Sequence, residues 1–196
     1  MRRCMYTGLE APNRTDAEVI HLPLITILPK APIASAFARI NEATHIIVTS
    51  KTTVALAKEH FQNAEKIYIS VGSATTAHLK AIGIKNIMTA KNECQEGIIE
   101  LIEELALTNP TFFWPHSSLS RPILSDYFKE KNYPLIECHL YDTHFAAPQQ
   151  RIDLATIDEI HFTSPSCVHA FFHHFGPPPA HISLHCKGSV TKTCLD

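Results

Sequence analysis

The chain has 196 residues, of which 45% are hydrophobic and 18% charged, and its formal net charge at pH 7 is −2. That is the composition of an ordinary folded protein, which leaves little room for long disordered regions, and the near-zero charge excludes the basic field of a nucleic-acid binder. No apolar run approaches the roughly 18 residues that cross a bilayer, so no membrane span is expected.

The first segment, Met1–Thr7, carries Arg2 and Arg3 but no apolar core or cleavage site after them. It reads as a strand, Arg3–Thr7, and not as an export signal. Further strand-like runs follow at Leu22–Leu28, His45–Thr49, Lys66–Val71, Asn86–Thr89, Thr111–Trp114, Leu135–Tyr141, Glu159–Thr163 and His181–Cys186. Several are unbroken apolar runs between turn residues, as in strands buried on both faces. Helix-length stretches lie between many of them. Thr53–Phe61 carries Val54, Leu56, Ala57 and Phe61, and Glu96–Leu107 carries Ile98, Ile99, Leu101, Ile102 and Leu105. Alternating strands and helices predict parallel α/β sheets. Without an export signal, Cys4, Cys94, Cys138, Cys167, Cys186 and Cys194 are expected to be reduced thiols in a cytoplasmic protein. The acceptor-like Asn13-Arg14-Thr15 then has no glycosylation to accept.

An internal repeat organises the chain. Val48-Thr49-Ser50-Lys51-Thr52-Thr53-Val54 matches Phe162-Thr163-Ser164-Pro165-Ser166-Cys167-Val168, with Phe61 opposite Phe175. After a two-residue slip at Pro177–Pro179, Gly72-Ser73-Ala74-Thr75 matches Gly188-Ser189-Val190-Thr191, and Leu79 falls opposite Leu195. The unit strand, Thr-Ser, helix, strand, Gly-Ser-x-Thr, helix therefore occurs twice, and predicts two domains of one design. The middle one is expected over residues 31–146. The other is expected to be discontinuous, from residues 1–30 and 147–196, with Arg3–Thr7 and Leu22–Leu28 completing its sheet. The crossings would fall near Pro29–Pro32 and His144–Gln150.

Ligands of open α/β sheets bind beyond the carboxyl ends of the strands. Thr49, Ser50, Ser164 and Ser166 sit at such ends, as do Gly72, Ser73, Thr75, Gly188 and Thr191. Ser and Thr there cap helices, which is a sufficient structural role. The same helix N-termini offer unpaired N–H groups and partial positive charge, which bind anions. Four of them around one cleft would take several carboxylates without a basic patch. Ser117, Ser118 and Arg121 follow another strand end, where a guanidinium suits bidentate carboxylate binding or merely solvates a helix start. Tyr141 ends the strand that leaves the middle domain. Its phenol can pass a proton to a leaving group, or simply pack. His169 and His173 stand four apart on one predicted helix, yet no H-E-x-x-H and no Cys/His zinc spacing occurs, so no metal is expected. No nucleotide loop occurs either.

Taken in order, Leu22-Pro23-Leu24-Ile25, Val48-Thr49-Ser50, Val71-Gly72-Ser73-Ala74-Thr75-Thr76-Ala77, Glu96-Gly97, Ser120-Arg121-Pro122-Ile123-Leu124, Leu140-Tyr141-Asp142-Thr143, Ile160-His161-Phe162-Thr163-Ser164-Pro165-Ser166 and Gly188-Ser189-Val190-Thr191 resemble the motifs of the uroporphyrinogen-III synthase family. The resemblance implies two flavodoxin-like parallel-sheet domains joined by two linker segments. It implies a cofactor-free lyase acting on hydroxymethylbilane, which it closes to uroporphyrinogen III with inversion of the last ring and loss of water. Tyr141 would then assist departure of the hydroxyl. Thr49, Ser50, Thr75, Ser118, Ser164 and Thr191 would contact substrate. No nucleic-acid or membrane partner is implied, and a monomer is expected. In the family a full helix usually follows the first strand. Here Gly8–His21 contains Pro12, so that helix is expected to be short or missing, and the discontinuous domain, ending at Asp196, is expected to be incomplete. Two other readings compete: a non-catalytic two-lobed binding module for an anionic small molecule, and an interaction protein using the His-rich Val168–Phe175 helix.

Overall fold

A computed structural model of the chain describes residues 1–30, 37–61 and 65–195. Among these residues ten strands are present: β1 (Arg2–Tyr6), β2 (Ala17–His21), β3 (Ile25–Pro29), β4 (His45–Val48), β5 (Ile67–Ser70), β6 (Ile87–Thr89), β7 (Phe112–Ser117), β8 (Leu135–Phe145), β9 (Glu159–Phe162) and β10 (Ser183–Cys186). Helices α1 (Lys51–Ala57), α2 (Ser73–Ala81), α3 (Gln95–Glu104), α4 (Ile123–Glu130), α5 (Pro165–Phe175) and α6 (Ser189–Lys192) alternate with them. The mixed α/β class with parallel sheets is therefore as the strand–helix alternation predicts. Among the described residues, no helix is long and apolar enough to cross a membrane. All six cysteines are thiols.

The chain divides into two compact units, Met1–Leu28 with Thr143–Asp196, and Pro29–Asp142. It passes from one to the other within β3 and within β8. Of the crossing expected near Pro29–Pro32, residues 31 and 32 lie outside the described residues.

The strand order of the larger sheet is β3-β8-β7-β4-β5-β6. From β8 to β6 every pairing is parallel. β3 is different. The Lys30 N–H donates to the Leu140 carbonyl and the Ala146 N–H to the Leu24 carbonyl, so numbers rise on one strand as they fall on the other. That pair is antiparallel. In the unit Pro29–Asp142, the run Ile46-Ile47-Val48 is buried because both sheet faces are covered. One face packs Ile47, Phe112 and Trp114 against Ile98 and Ile102 of α3 and Leu124 and Phe128 of α4. Ile98 and Ile102 stand four apart, one helical turn, which is why α3 presents a single apolar stripe. Elsewhere in the unit Phe37, Phe61, Phe113 and Tyr68 form a chain of ring contacts 5.2 to 6.1 Å apart.

The other unit holds a four-stranded parallel sheet, β10-β9-β1-β2. Met5 and Ile160 lie on one face of it, in a core with Val168 and Phe171 of α5. Side chains alternate across a strand. The opposite face therefore carries Cys4, Tyr6, Glu159, His161, His185 and His21 beside Ala17 and Val19, a largely polar set in place of an apolar one.

Two strand expectations are corrected here. Leu22–Leu28 is not one strand completing this sheet. Leu22 and Leu24 are buried in the core beside Pro23, and only from Ile25 does a strand begin, in the larger sheet. Its place beside β1 is taken by Ala17–His21, and β1 runs on to it with no helix between. The missing helix agrees with Pro12 in that segment.

Candidate functional site

The repeated segments take matching local structure. Ser50 precedes α1 and Ser164 precedes α5, both in extended backbone, and each side chain accepts from the N–H three residues on, Thr53 or Cys167. Each thereby satisfies one of the first unpaired donors of its helix. Gly72 and Gly188 occupy the equivalent places before α2 and α6.

The strand expected to end at Tyr141 runs on to Phe145, so in the unit Pro29–Asp142 Tyr141 lies within β8 and meets Ser50 just beyond the end of β4. The Tyr141 and Ser50 hydroxyls hydrogen-bond at 3.0 Å, and Ser50 continues to the Thr53 hydroxyl at 2.9 Å. A bulge achieves this. His116 pairs with His139, but Ser117 pairs with Tyr141, so β8 has one residue more than β7 at that step. The inserted residue turns Tyr141 inward beside buried Leu140, out of the strand's alternation. The Ser118 N–H then donates to the Tyr141 carbonyl. Burial pushes the Tyr141 phenol above its ordinary pKa, against the hydrogen bonds of Ser50, Thr53 and Thr52. At neutral pH it is protonated and a donor. Thr49 stands at the same strand end, where the Trp114 indole N–H reaches its hydroxyl at 3.4 Å.

The other expected anion contacts of this unit already have partners. The N-terminus of α2 is capped by Glu93, whose carboxylate accepts from the Ser73 N–H at 2.8 Å and the Ser73 hydroxyl at 2.6 Å. A Cβ on Gly72 would lie 2.5 Å from the Glu93 carboxyl carbon, so the glycine makes room for this cap. Thr75 is buried one turn further on. Arg121 holds Glu96 in a bidentate pair at 2.6 and 2.7 Å. That pair drops the Glu96 pKa to about 2. A substrate carboxylate reaching Ser73 or Arg121 must therefore displace one of the protein's own. Ser117 accepts from the Leu119 N–H at 3.2 Å, and Ser118 is exposed.

In the unit Met1–Leu28 with Thr143–Asp196, Ser164 and Ser166 hydrogen-bond at 2.9 Å. Thr191 is buried and donates to the Lys187 carbonyl at 2.9 Å. Gly188 takes a φ of +83°, the left-handed region open to glycine, and nothing lies within 4 Å of where its Cβ would be. Like Gly72 before α2, Gly188 has no side chain with which to cap its helix. Sequence reasoning missed Glu93, Glu96 and Thr53. A Ser three residues before Thr53 was the available signal for the last, but no spacing announces the two carboxylates.

The family described as "Uroporphyrinogen-III synthase HemD" matches residues 10–195. No curated protein matches the chain in sequence. Among solved structures, a mutant uroporphyrinogen III synthase from Thermus thermophilus superposes with a TM-score of 0.63 at 14% identity, over 100% of this chain and 88% of that one. The uroporphyrinogen-III synthetase of Helicobacter pylori does so with a TM-score of 0.62 at 15% identity, again over 100% and 88%. At such identity these likenesses speak for the fold.

Proposed function

The chain belongs to the uroporphyrinogen-III synthase family, and from that premise we propose that it closes hydroxymethylbilane to uroporphyrinogen III with inversion of ring D. It is a cyclising lyase of tetrapyrrole and haem biosynthesis. The observation that carries the mechanism is the buried, protonated Tyr141 phenol of β8 tied to Ser50 beyond the end of β4. A phenol so held donates to the departing hydroxyl, which leaves as water. The resulting azafulvene attacks the substituted carbon of the last ring, passes through a spiro intermediate, and rearranges before closing. This chemistry asks the protein mainly to hold a flexible chain in one fold and to deny it direct closure.

In this reading the acetate and propionate groups bind at Thr49, Ser50, Ser118, Ser164, Ser166 and the N-terminus of α6 at Gly188 and Thr191, by backbone N–H groups and hydroxyls. Gly72, Ser73, Thr75, Ser117 and Arg121 complete the set, with Glu93 and Glu96 giving way. The fold is two flavodoxin-like domains, residues 1–30 with 147–196 and residues 31–146, linked by two segments. The enzyme is a cytoplasmic monomer that needs no cofactor. The test is incubation with freshly made hydroxymethylbilane and isomer analysis of the oxidised product. Isomer III in excess is expected. Isomer I alone, at the spontaneous rate, overturns the proposal.

A further inference from the structure

The polar face of the four-stranded sheet serves no step of the reaction above, and its composition is unlike that of a packed sheet. Cys4 of β1 lies beside Glu159 of β9, and His161 of β9 lies beside His185 of β10. Strand alternation puts all four on one side. One donor atom from each of Cys4, Glu159 and His161 falls within 4.8 Å of the other two. His161 Nε2 is 3.3 Å from Glu159 Oε1. Two ligands about 2.0 Å from a tetrahedral zinc ion are separated by about 3.3 Å. His185 Nε2 is 3.7 Å from the other Glu159 oxygen, and its ring stacks on His161 at 4.5 Å between centroids. Cys4 is fully buried and the Glu159 side chain is 7% exposed, so packing fixes both.

A cation already lies at the focus of Cys4, Glu159 and His161. Arg14 Nη1 is 2.6 Å from Glu159 Oε1, 3.1 Å from His161 Nε2 and 3.5 Å from Cys4 Sγ. A guanidinium has donors only. Its approach to His161 therefore requires a lone pair on Nε2, the form a metal needs. Arg14 comes from the segment between β1 and β2, and its other nitrogens hold exposed Asp16 at 3.0 and 2.6 Å. It can swing outward with Asp16 as its partner.

We infer that Cys4, Glu159 and His161, with His185 as the fourth donor, form a binding site for zinc or a similar divalent transition metal, which displaces the Arg14 guanidinium. Thiolate, imidazole and carboxylate together suit that class of ion and not magnesium or calcium. Four protein donors make a closed, structural site that clips β1 to β9 and β10. On binding, the Cys4 thiol proton passes to solvent as the sulfur–metal bond forms. The inference does not depend on the synthase reading, since none of these residues is in that site.

The test uses the full chain, stripped with a chelator and titrated with Zn²⁺ alone and, separately, Co²⁺ alone. One ion per chain, a rise in melting temperature, and tetrahedral Co²⁺ absorption with a sulfur-to-cobalt charge-transfer band are expected. Cys4→Ser should abolish that band and weaken binding by about tenfold or more. Because Cys4 is buried, His185→Ala on the exposed edge provides a second reading and should weaken Zn²⁺ to a similar degree. Arg14→Ala should tighten binding, having removed the competing cation. The double variant His169→Ala, His173→Ala, on exposed positions of α5, should leave the affinity unchanged. Failure to bind one ion, or binding that survives both Cys4→Ser and His185→Ala, overturns the inference. So does binding lost only with His169 and His173.

Discussion

At the scale of single residues, Tyr141 and Glu93 make opposite demands. Tyr141→Phe removes the proton that the mechanism gives to the departing hydroxyl and keeps the packing of the ring. The expected result is a fall in kcat of about 100-fold, within the range for general acids, with KM little changed. Steady-state kinetics with isomer analysis checks it, and an unchanged kcat removes Tyr141 from the mechanism. Glu93 caps α2 as a carboxylate at a helix N-terminus, an arrangement that contributes about 0.5–2 kcal/mol. Glu93→Ala should lower stability by that order in denaturant titrations. It should also lower KM, because it leaves the Ser73 N–H open to a substrate carboxylate. A raised KM would mean that Glu93 orders the site and does not compete for it.

At the scale of elements, α3 carries a glycine in its first turn for a reason of contact. A Cβ on Gly97 would lie 2.0 Å from the Asn92 carbonyl oxygen. Helix propensity favours alanine over glycine by about 1 kcal/mol, but backbone cannot yield as a side-chain tip does. Gly97→Ala should therefore destabilise, by about 1–3 kcal/mol, and a thermal or urea melt decides the sign. The element scale is also where the sequence was most legible. Unbroken apolar runs such as Ile46-Ile47-Val48 identify strands, and the repeated Thr-Ser and Gly-Ser-x-Thr steps identify matching helix starts at Ser50 and Ser164. β2 was not legible: Ala17–His21 is short, half polar, and follows no helix. Leu22 and Leu24 mimic the start of the next strand because they are buried, while their N–H groups still reach the Tyr6 and Thr7 carbonyls beside β1. The bulge that aims Tyr141 leaves no sequence mark, since an inserted residue looks like any other. The same holds for contacts between residues distant in sequence. Arg121 meets Glu96 across 25 positions, and Cys4 meets Glu159 across 155.

At the scale of the whole molecule, buried neutral histidines set the acid limit. Burial lowers the pKa of His45, and burial, reinforced by His139, lowers that of His116, against the Ser117 carbonyl and Glu137. Both carry a side-chain nitrogen with no hydrogen-bond partner, Nε2 in each case. A depressed folded pKa means that the unfolded chain takes the proton first. Their contribution is present above the ordinary value of 6.5 and is lost as the pH falls through the lower folded values. Glu96 adds a second loss between its ordinary 4.5 and about 2, as its pair with Arg121 is protonated. Melting temperatures of metal-free protein should thus be flat from pH 8 to about 6.5 and fall below it. His116→Gln should reduce the first step, and a flat profile down to about pH 5 would contradict the assignment. The division of the chain has a consequence in time. β1 pairs with β2 at once but waits for β9, which begins at Glu159. At the roughly 5–20 residues per second of synthesis, the edge of β1 stays without its partner for roughly 10–30 s while the residues of the middle unit emerge. During that interval Pro29–Asp142 can complete its own sheet core. The N-terminal residues, with Arg2 and Arg3 beside Cys4 and Met5, must stay soluble until β9 emerges, in the last fifth of the chain.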